Sequence, residues 1–414
     1  MEFVLILGGE FQLRERVLAG SIRASNGLPT VTVAKNRVGN HIKFFDDVIT
    51  ANVMDPKNVV AAVRDYVKSS GRKIAAVAPM NDFVVRSGLA VAEAFGLNYN
   101  SRDTVEMCRD KFLMKERLAK FDVPIPRYGK FRTIEELEVI AKKIGYPLVI
   151  KPIELAGSVG VLKVTDHAQL VGAFEKCMAD IKKLGGVFMT AEDLFQAEEY
   201  IEAQSEVSVE VINGPDFHKV IAVTEKYLGN EPYFVEIGHS VPSRHTNNEK
   251  LRQIAESACE SLGIKYGMAH VEARITPGGD IRVIEVGART GGDAIMDLVE
   301  RAYGINPYEM HVASYLGCLR RAPMNLKERG VAAVAFLKSK PGTIRRIKPM
   351  TQFEPAIVNV QITAKPGDIS REPISWAARE GSVEFFWPRR NSTELLTDHL
   401  DTAKSLSEEL FTVE

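Results

Sequence analysis

The residues whose types and spacing could do chemistry lie between Met268 and Gly292, in MAHVEARITPGGDIRVIEVGARTGG. Two runs rich in β-branched residues, His270–Ile275 and Ile281–Val286, flank Thr276-Pro277-Gly278-Gly279-Asp280, a hairpin signal. With the turn centred between Gly278 and Gly279, Glu272 falls opposite Glu285 on one face, and Val271, Ala273, Ile284 and Val286 take the other. Carboxylates about 5 Å apart at an effective dielectric of about 20 repel by roughly 3 kcal/mol, so a positive charge belongs between them. Mg²⁺ suits the place, because it takes one or two carboxylates and completes its shell with water and substrate phosphates. Arg289, four residues past Glu285, reaches the same phosphates. The plainer alternative is a solvated hairpin whose acids pair with Arg274 and Arg282.

A second constellation lies upstream. Pro147–Pro152 (PLVIKP) reads as a buried strand closed by Lys151, and Glu154–Val161 (ELAGSVGV) follows as a small-residue loop leading into Leu162–Val164. Gly157 and Gly160 let backbone N–H groups approach oxyanions closely, Ser158 adds a donor and Lys151 supplies a point charge. Without the lysine beside it, the loop would read as an ordinary hairpin connection. In Ala197–Val211 (AEEYIEAQSEVSVEV), Val207, Val209 and Val211 alternate with Ser208 and Glu210 as in a half-buried strand. Glu198, Glu199 and Glu202 surround Tyr200-Ile201 just upstream, an apolar bend that suits a nucleobase, while Glu206 is a carboxylate acceptor for ribose hydroxyls. A solvated acidic loop is the alternative. Phe234–His245 (FVEIGHSVPSRH) reads as a polar loop whose His239 and Arg244 are candidates for substrate contact.

The elements that must position these groups follow from periodicity. Val4–Leu7, Thr30–Ala34, Val48–Ile49 and Ile74–Ala78 read as strands alternating with helices at Arg14–Ala24, Val59–Ser69 and Val84–Phe95, which predicts a parallel α/β layer. Gly8-Gly9 ends the first strand, but GxGxxG is absent, so no dinucleotide is assigned there. Ser101–Phe121 reads as one helix carrying Asp110-Lys111, and Ile134–Ile144 and Glu249–Leu262 as amphipathic helices. Asp293–Tyr303 and Pro307–Leu316 have helical spacing. Strands are expected at Ala332–Leu337, Gly342–Ile347, Ile357–Thr363 and Val383–Phe386, then a helix at Ser392–Leu410.

The 414 residues suggest two to four lobes, and 45% apolar with 26% charged residues describes a globular chain. A net charge of −1, from 53 basic and 54 acidic residues, gives no electrostatic argument for nucleic acid or an anionic membrane. The first apolar run reads as a core strand, without a basic segment or a cleavage pattern, and no run of 18 apolar residues occurs. Cys108, Cys177, Cys259 and Cys318 lack CxxC spacing, so neither zinc nor a disulfide framework is indicated and a reducing cytoplasm is expected.

Taken together and in order, Asp110-Lys111, PLVIKP with its glycine loop, EEYIEAQSEVSVEV and HVEAR…IRVIEVGAR resemble the ATP-grasp superfamily over roughly Ser101–Leu316. The runs EIGHSVPS and EVGARTGGDAIMDLVERAYGINP resemble, within it, the carboxylate–amine ligases: L-amino-acid (dipeptide) ligases and carnosine-synthase-like enzymes. The resemblance implies an α/β, ATP-grasp fold with a Rossmann-like pre-ATP-grasp domain at 1–100. ATP-grasp subdomains are expected at 101–190, with Lys111, Lys151 and the glycine loop, and at 191–325, with the adenine hinge and metal hairpin. A β-rich C-terminal subdomain with a terminal helix is expected at 326–414.

It also implies roles. Lys111 and Lys151 contact ATP phosphates beneath a mobile loop with Gly157 and Ser158; Glu198, Glu199, Tyr200 and Ile201 form the adenine hinge; Glu206 binds ribose. Glu272 and Glu285 hold Mg²⁺, with Mn²⁺ as a substitute. Arg289 steadies phosphate and, with Lys151, is catalytic, while His239, Arg244, Arg289 and Gly291 meet substrate. Gly287 stands where many relatives carry an asparagine metal ligand, leaving that position to water. The expected reaction is amide formation through an acyl phosphate, releasing ADP and phosphate, from a small carboxylate and an amine. The expected assembly is a cytoplasmic homodimer, with no nucleic acid or membrane partner. A small-molecule kinase, a ligase using a carrier-protein-bound acceptor, and a silent nucleotide-binding subunit are the alternatives.

Overall fold

The computed structural model describes residues 1–9, 14–35, 44–183, 194–319, 326–349, 354–390 and 396–414. Among them, short apolar runs form a parallel sheet in the order Asp47–Thr50, Thr30–Ala34, Glu2–Leu7, Lys73–Pro79, with helix Arg14–Ala24 between the strands Glu2–Leu7 and Thr30–Ala34 and helix Pro56–Ser70 between Asp47–Thr50 and Lys73–Pro79. Helix Pro56–Ser70 starts where the Asp55 carboxylate accepts from the Lys57 and Asn58 N–H groups, and Gly71, at φ 66°, ends it. Val59 and Val63 carry that helix into a core with Phe3, Leu5 and Leu7.

Four strands, Tyr128–Phe131, Phe195–Glu199, Leu148–Pro152 and Leu162–Val164, form a small antiparallel sheet. Helices Ile134–Ile144 and Leu170–Lys183 cover it through Leu137, Ala141, Leu170 and Cys177. The largest sheet is antiparallel, in the order Ile281–Gly287, Gly267–Ile275, Ser205–Gly214, Phe217–Leu228, Glu236–Val241, Gly330–Leu337, Gly381–Pro388, Ile357–Ile362. Three C-terminal strands therefore continue the sheet that carries the acidic hairpin. Gly342–Ile347 pairs instead with Ile369–Ser370 and Phe411–Val413. Among the described residues no helix is long and apolar enough to cross a membrane.

The structure corrects several expectations. Ser101–Phe121 is two helices, Arg102–Arg109 and Lys111–Lys120, because Asp110 leaves the helical region at φ −95°, ψ 109° and its carboxylate accepts from the N–H groups of Phe112 and Leu113. Phe234–His245 is not simply a polar loop: Glu236–Val241 is an inner strand, paired with Phe217–Leu228 on one side and Gly330–Leu337 on the other. The helix expected from Asp293 begins at Ile295, since Asp293 and Ala294 have φ of 52° and 63°. The last helix spans Asp398–Leu410, and the expected residues 392–395 lie outside those described.

Candidate active site

The small sheet and the large sheet line an open cleft of about 870 Å³, the solvent at its mouth included. Of the residues singled out above, it brings together Lys111, Lys151, Gly157, Ser158, Glu198, Glu199, Ile201, Glu206, Glu272, Glu285 and Arg289.

The hairpin supplies the floor. Gly279, at φ 82°, makes the turn, and Glu272 does stand opposite Glu285. A bulge between Glu272 and Ala273 shifts the pairing by one residue beyond that point, so Ala273 faces Val283. Val283 therefore joins the core and Ile284 lines the cleft beside Glu285, contrary to the face expected for Ile284. Each acid faces an ammonium: Lys226 Nζ is 3.0 Å from Glu272 and Lys111 Nζ is 3.1 Å from Glu285. Among the described residues no cluster of three or more His, Cys, Asp or Glu is arranged to hold a metal. Two facing carboxylates fit the ion that takes its other ligands from water and phosphates, which is the habit of Mg²⁺.

Lys151 closes its buried strand as expected, with its ammonium 2.7 Å from Glu198. Glu198 also accepts from Gln196 at 2.5 Å and lies 3.6 Å from Lys115, a fully buried lysine that donates to the carbonyls of Val283 and Ile284 at 2.9 and 2.8 Å. Burial favours the neutral acid at Glu198, but Lys115 and Lys151 outweigh it and lower its pKa. Burial pushes Lys115 down to about 8 despite Glu198. Glu198 is thus an ionic anchor under the cleft, whereas Ile201 supplies apolar lining. Glu199 pairs with Arg127 at 3.1 Å, and the Tyr200 hydroxyl donates to Glu231 at 2.9 Å, turning that side chain outward.

The glycine loop turns through Gly157, Ser158 and Gly160 at φ 70°, 60° and 69°. Its root is held by Lys111, donating to the Leu155 carbonyl at 2.6 Å, and by Arg109, donating to the Glu154 carbonyl at 2.9 Å. Ser158 Oγ donates to the Phe234 carbonyl at 2.8 Å, which draws the loop across the cleft.

Sequence reasoning missed a second set of charges. Lys226 is buried among Glu206, Glu236 and Glu272 at 3.2, 3.5 and 3.0 Å. Burial alone would lower its pKa, but Glu272 and the other acids raise it well above the ordinary value. Glu272 is held well below the carboxylate range, because Lys226 and His270 outweigh its burial. Burial also acts against the His270 cation, yet Glu210 at 2.8 Å raises that imidazole to about 9. Arg274 reaches Glu206 at 3.1 Å and covers the rings of Tyr200 and Phe234. Arg289 donates from Nε to Asp82 at 2.7 Å, tying the site to the turn after strand Lys73–Pro79 of the parallel sheet. A Cβ at Gly287 would stand 3.1 Å from Arg289 Nε and 3.3 Å from Asp82 Oδ1, so this pair occupies the room a longer residue there would need. The usable signal was a charged residue inside a long buried strand, as Lys226 is in Phe217–Leu228.

His239, Arg244 and Gly291 do not line the cleft. His239 is buried with Nε2 3.4 Å from Asp293, because its segment is an inner strand. Arg244 turns to Ser205, the Gln204 carbonyl and Glu225. A Cβ at Gly291 would stand 3.1 Å from Glu210 and 3.2 Å from His270, so close approach explains that glycine.

A cleft between two antiparallel sheets, with lysines, a glycine loop and paired acids converging on it, is the arrangement expected of an ATP-grasp domain. The family model for the ATP-grasp domain matches residues 144–297. Similar proteins include dapdiamide A synthase of Enterobacter agglomerans, 24% identical over 354 residues, 80% of this chain and 82% of that protein. The L-arginine-specific L-amino acid ligase of Bacillus subtilis is 22% identical over 376 residues, 86% of this chain and 84% of that protein. The crystal structure of L-amino acid ligase from Bacillus licheniformis superposes with a TM-score of 0.78 at 20% identity, covering 100% of this chain and 99% of that one. Residues 144–297 thus match an ATP-grasp domain, and the proteins similar to most of the chain include amino acid ligases.

Proposed function

We propose that the protein is an ADP-forming ATP-dependent carboxylate–amine ligase, which joins an amino acid or similar small carboxylate to an amine through an acyl phosphate. The observation that carries this reading is the convergence of Lys111, Lys151, the glycine loop, Glu272, Glu285 and Arg289 on one cleft. The similarity to amino acid ligases over most of the chain supports the same reaction class.

In this reading Lys111 and Lys151 bind ATP phosphates, Ile201 and the neighbouring backbone hold adenine, and Glu206 takes the ribose hydroxyls. Glu272 and Glu285 would hold Mg²⁺, which when bound neutralises phosphate charge; Mn²⁺ substitutes. A substrate carboxylate attacks the γ-phosphorus of ATP and ADP leaves; the amine then attacks the acyl carbon and phosphate leaves. Arg289, kept in place by Asp82, stabilises the charge that develops on phosphate and on the tetrahedral oxyanion. The glycine loop excludes water, which would otherwise hydrolyse the acyl phosphate. The lobe boundaries near 100, 190 and 325, a cytoplasmic homodimer, and a free or carrier-borne acceptor belong to the same proposal.

The test is product analysis with Mg²⁺–ATP and a panel of amino acids offered singly and in pairs. ADP and phosphate formed only with particular pairs, together with a condensed product, is the expected result. A phosphorylated single substrate would point to a kinase, and AMP would overturn the acyl-phosphate route.

A further inference from the structure

A short turn from the C-terminal region reaches the glycine loop. Trp376–Ala378 form one turn of 3₁₀ helix, in which the Ala378 N–H donates to the Ser375 carbonyl and the Arg379 N–H to the Trp376 carbonyl, both at 3.1 Å. The turn fixes Trp376 and Arg379 relative to each other. The indole lies on Gly157: a Cβ there would stand 2.2 Å from Trp376 Cδ1 and 2.7 Å from Nε1. Gly157 is therefore required twice, by its φ of 70° and by the ring against it. Trp376 is nonetheless 45% exposed, so burial in a core does not account for its position.

Arg379 anchors the other end. Its guanidinium donates to Asp293 Oδ1 at 2.7 Å, to the Glu236 carbonyl at 3.1 Å and to Glu236 Oε2 at 3.2 Å. Its Cζ lies 3.6 Å from the centre of the Phe336 ring. Glu236 in turn lines the cleft and pairs with Lys226.

We propose that Ser375–Arg379 is a strap that positions the glycine loop, with Trp376 seated on Gly157 and Arg379 fixing the strap to the rim of the cleft through Glu236 and Asp293. Trp376 and Arg379 are positioning residues that act on bound nucleotide through the loop. The inference rests on the cleft being a nucleotide site.

The chain has two tryptophans, so Trp387→Phe leaves Trp376 as the sole indole reporter. Mg²⁺–ADP is titrated against this protein, with indole emission and calorimetric heat followed in parallel. Emission is expected to change and saturate with the heat. In the same background Trp376→Ala is expected to weaken Mg²⁺–ADP by about 5- to 10-fold, the scale of one lost aromatic contact, while Trp376→Phe keeps most of the affinity. Arg379→Met should weaken binding similarly, and the Trp376→Ala/Arg379→Met pair should be no worse than the poorer single variant, because both act through one strap. Heat without an emission change, wild-type affinity in Trp376→Ala, or full additivity would overturn the strap. Should Trp376→Ala fail to fold, the emission titration and the phenylalanine variant still decide. No heat with the wild-type chain would overturn the nucleotide reading itself, and the strap with it.

Discussion

Replacing Lys151 by methionine separates its ion pair with Glu198 from the phosphate contact proposed for it above. Lys151 and Glu198 are both buried and stand 2.7 Å apart. At an effective dielectric of about 20 their gross attraction is about 6 kcal/mol. Removing one partner of a buried pair usually costs about 3–5 kcal/mol, because the other charge is left uncompensated. Here Lys115 remains 3.6 Å from Glu198 and Gln196 still donates to it, so Lys151→Met should destabilise by roughly 2–4 kcal/mol, towards the lower part of that range. The variant should also bind Mg²⁺–ATP more weakly. The Lys151→Met/Glu198→Gln pair leaves no uncompensated carboxylate and, although Lys115 loses its acid neighbour, should recover part of the lost stability and none of the lost affinity. Urea midpoints and nucleotide titration of the wild type, both singles and the double variant measure the two quantities separately. Recovery of both in the double variant would refute the reasoning, since Lys151 would then serve only to neutralise Glu198.

Glu285→Ala should remove most turnover, whereas Glu206→Ala should chiefly raise KM for ATP; steady-state kinetics with ATP varied distinguishes them, and equal effects on both parameters would count against the two roles. Asp297, buried in helix Ile295–Tyr303, is raised by its burial to about 7, against the pull of Arg16. The folded state then holds a proton that the unfolded state has released, so stability should fall by about 4 kcal/mol as pH rises from about 4 through 7, and Asp297→Asn should flatten that slope in urea midpoints taken across the window.

What was legible in the chain was local. Glu272 and Glu285 are linked by a turn of glycines, so pairing two strands brings them together without knowledge of the rest of the fold. Lys151 with the loop after it was legible for the same reason. The bulge at Glu272/Ala273 left only an ambiguous trace: the core residues Ile281, Val283 and Val286 change phase across Ile284-Glu285, but Val283 and Ile284 are both apolar, so alternation alone does not decide which of them joins the core. His239 illustrates the opposite error. Polar residues in FVEIGHSVPSRH suggest a loop, but their partners, Asp293 for His239 and Ser205 for Arg244, lie far along the chain and let the segment enter a sheet. Lys226 owes its place to acids on other strands of its own sheet, Asp82 to Arg289 and Trp376 to Gly157, and no spacing within one segment encodes such contacts.

The charges in the cleft also explain why nucleotide and metal should bind together. Glu206 faces Lys226 and Arg274, Glu272 faces Lys226, and Glu285 faces Lys111, each at 3.0–3.2 Å. Burial of these acids and bases is already offset within the folded chain, so their desolvation is met at folding rather than at binding. Bare ADP would draw Lys111 towards phosphate and leave Glu285 opposite Glu272 with little compensation, besides setting both acids against the phosphates. A divalent cation allows the lysines and acids to exchange partners without orphaning either. ADP should therefore bind at least about 10-fold more weakly with EDTA than with Mg²⁺, a difference of about 1.4 kcal/mol and well within the roughly 3 kcal/mol repulsion of two carboxylates about 5 Å apart. In Glu272→Gln/Glu285→Gln, which lacks both charges, the dependence on Mg²⁺ should shrink towards that of ADP itself. Calorimetry of the two proteins with and without EDTA decides, and equal affinity of the wild type for ADP in both buffers would show that the facing acids do not hold the cation.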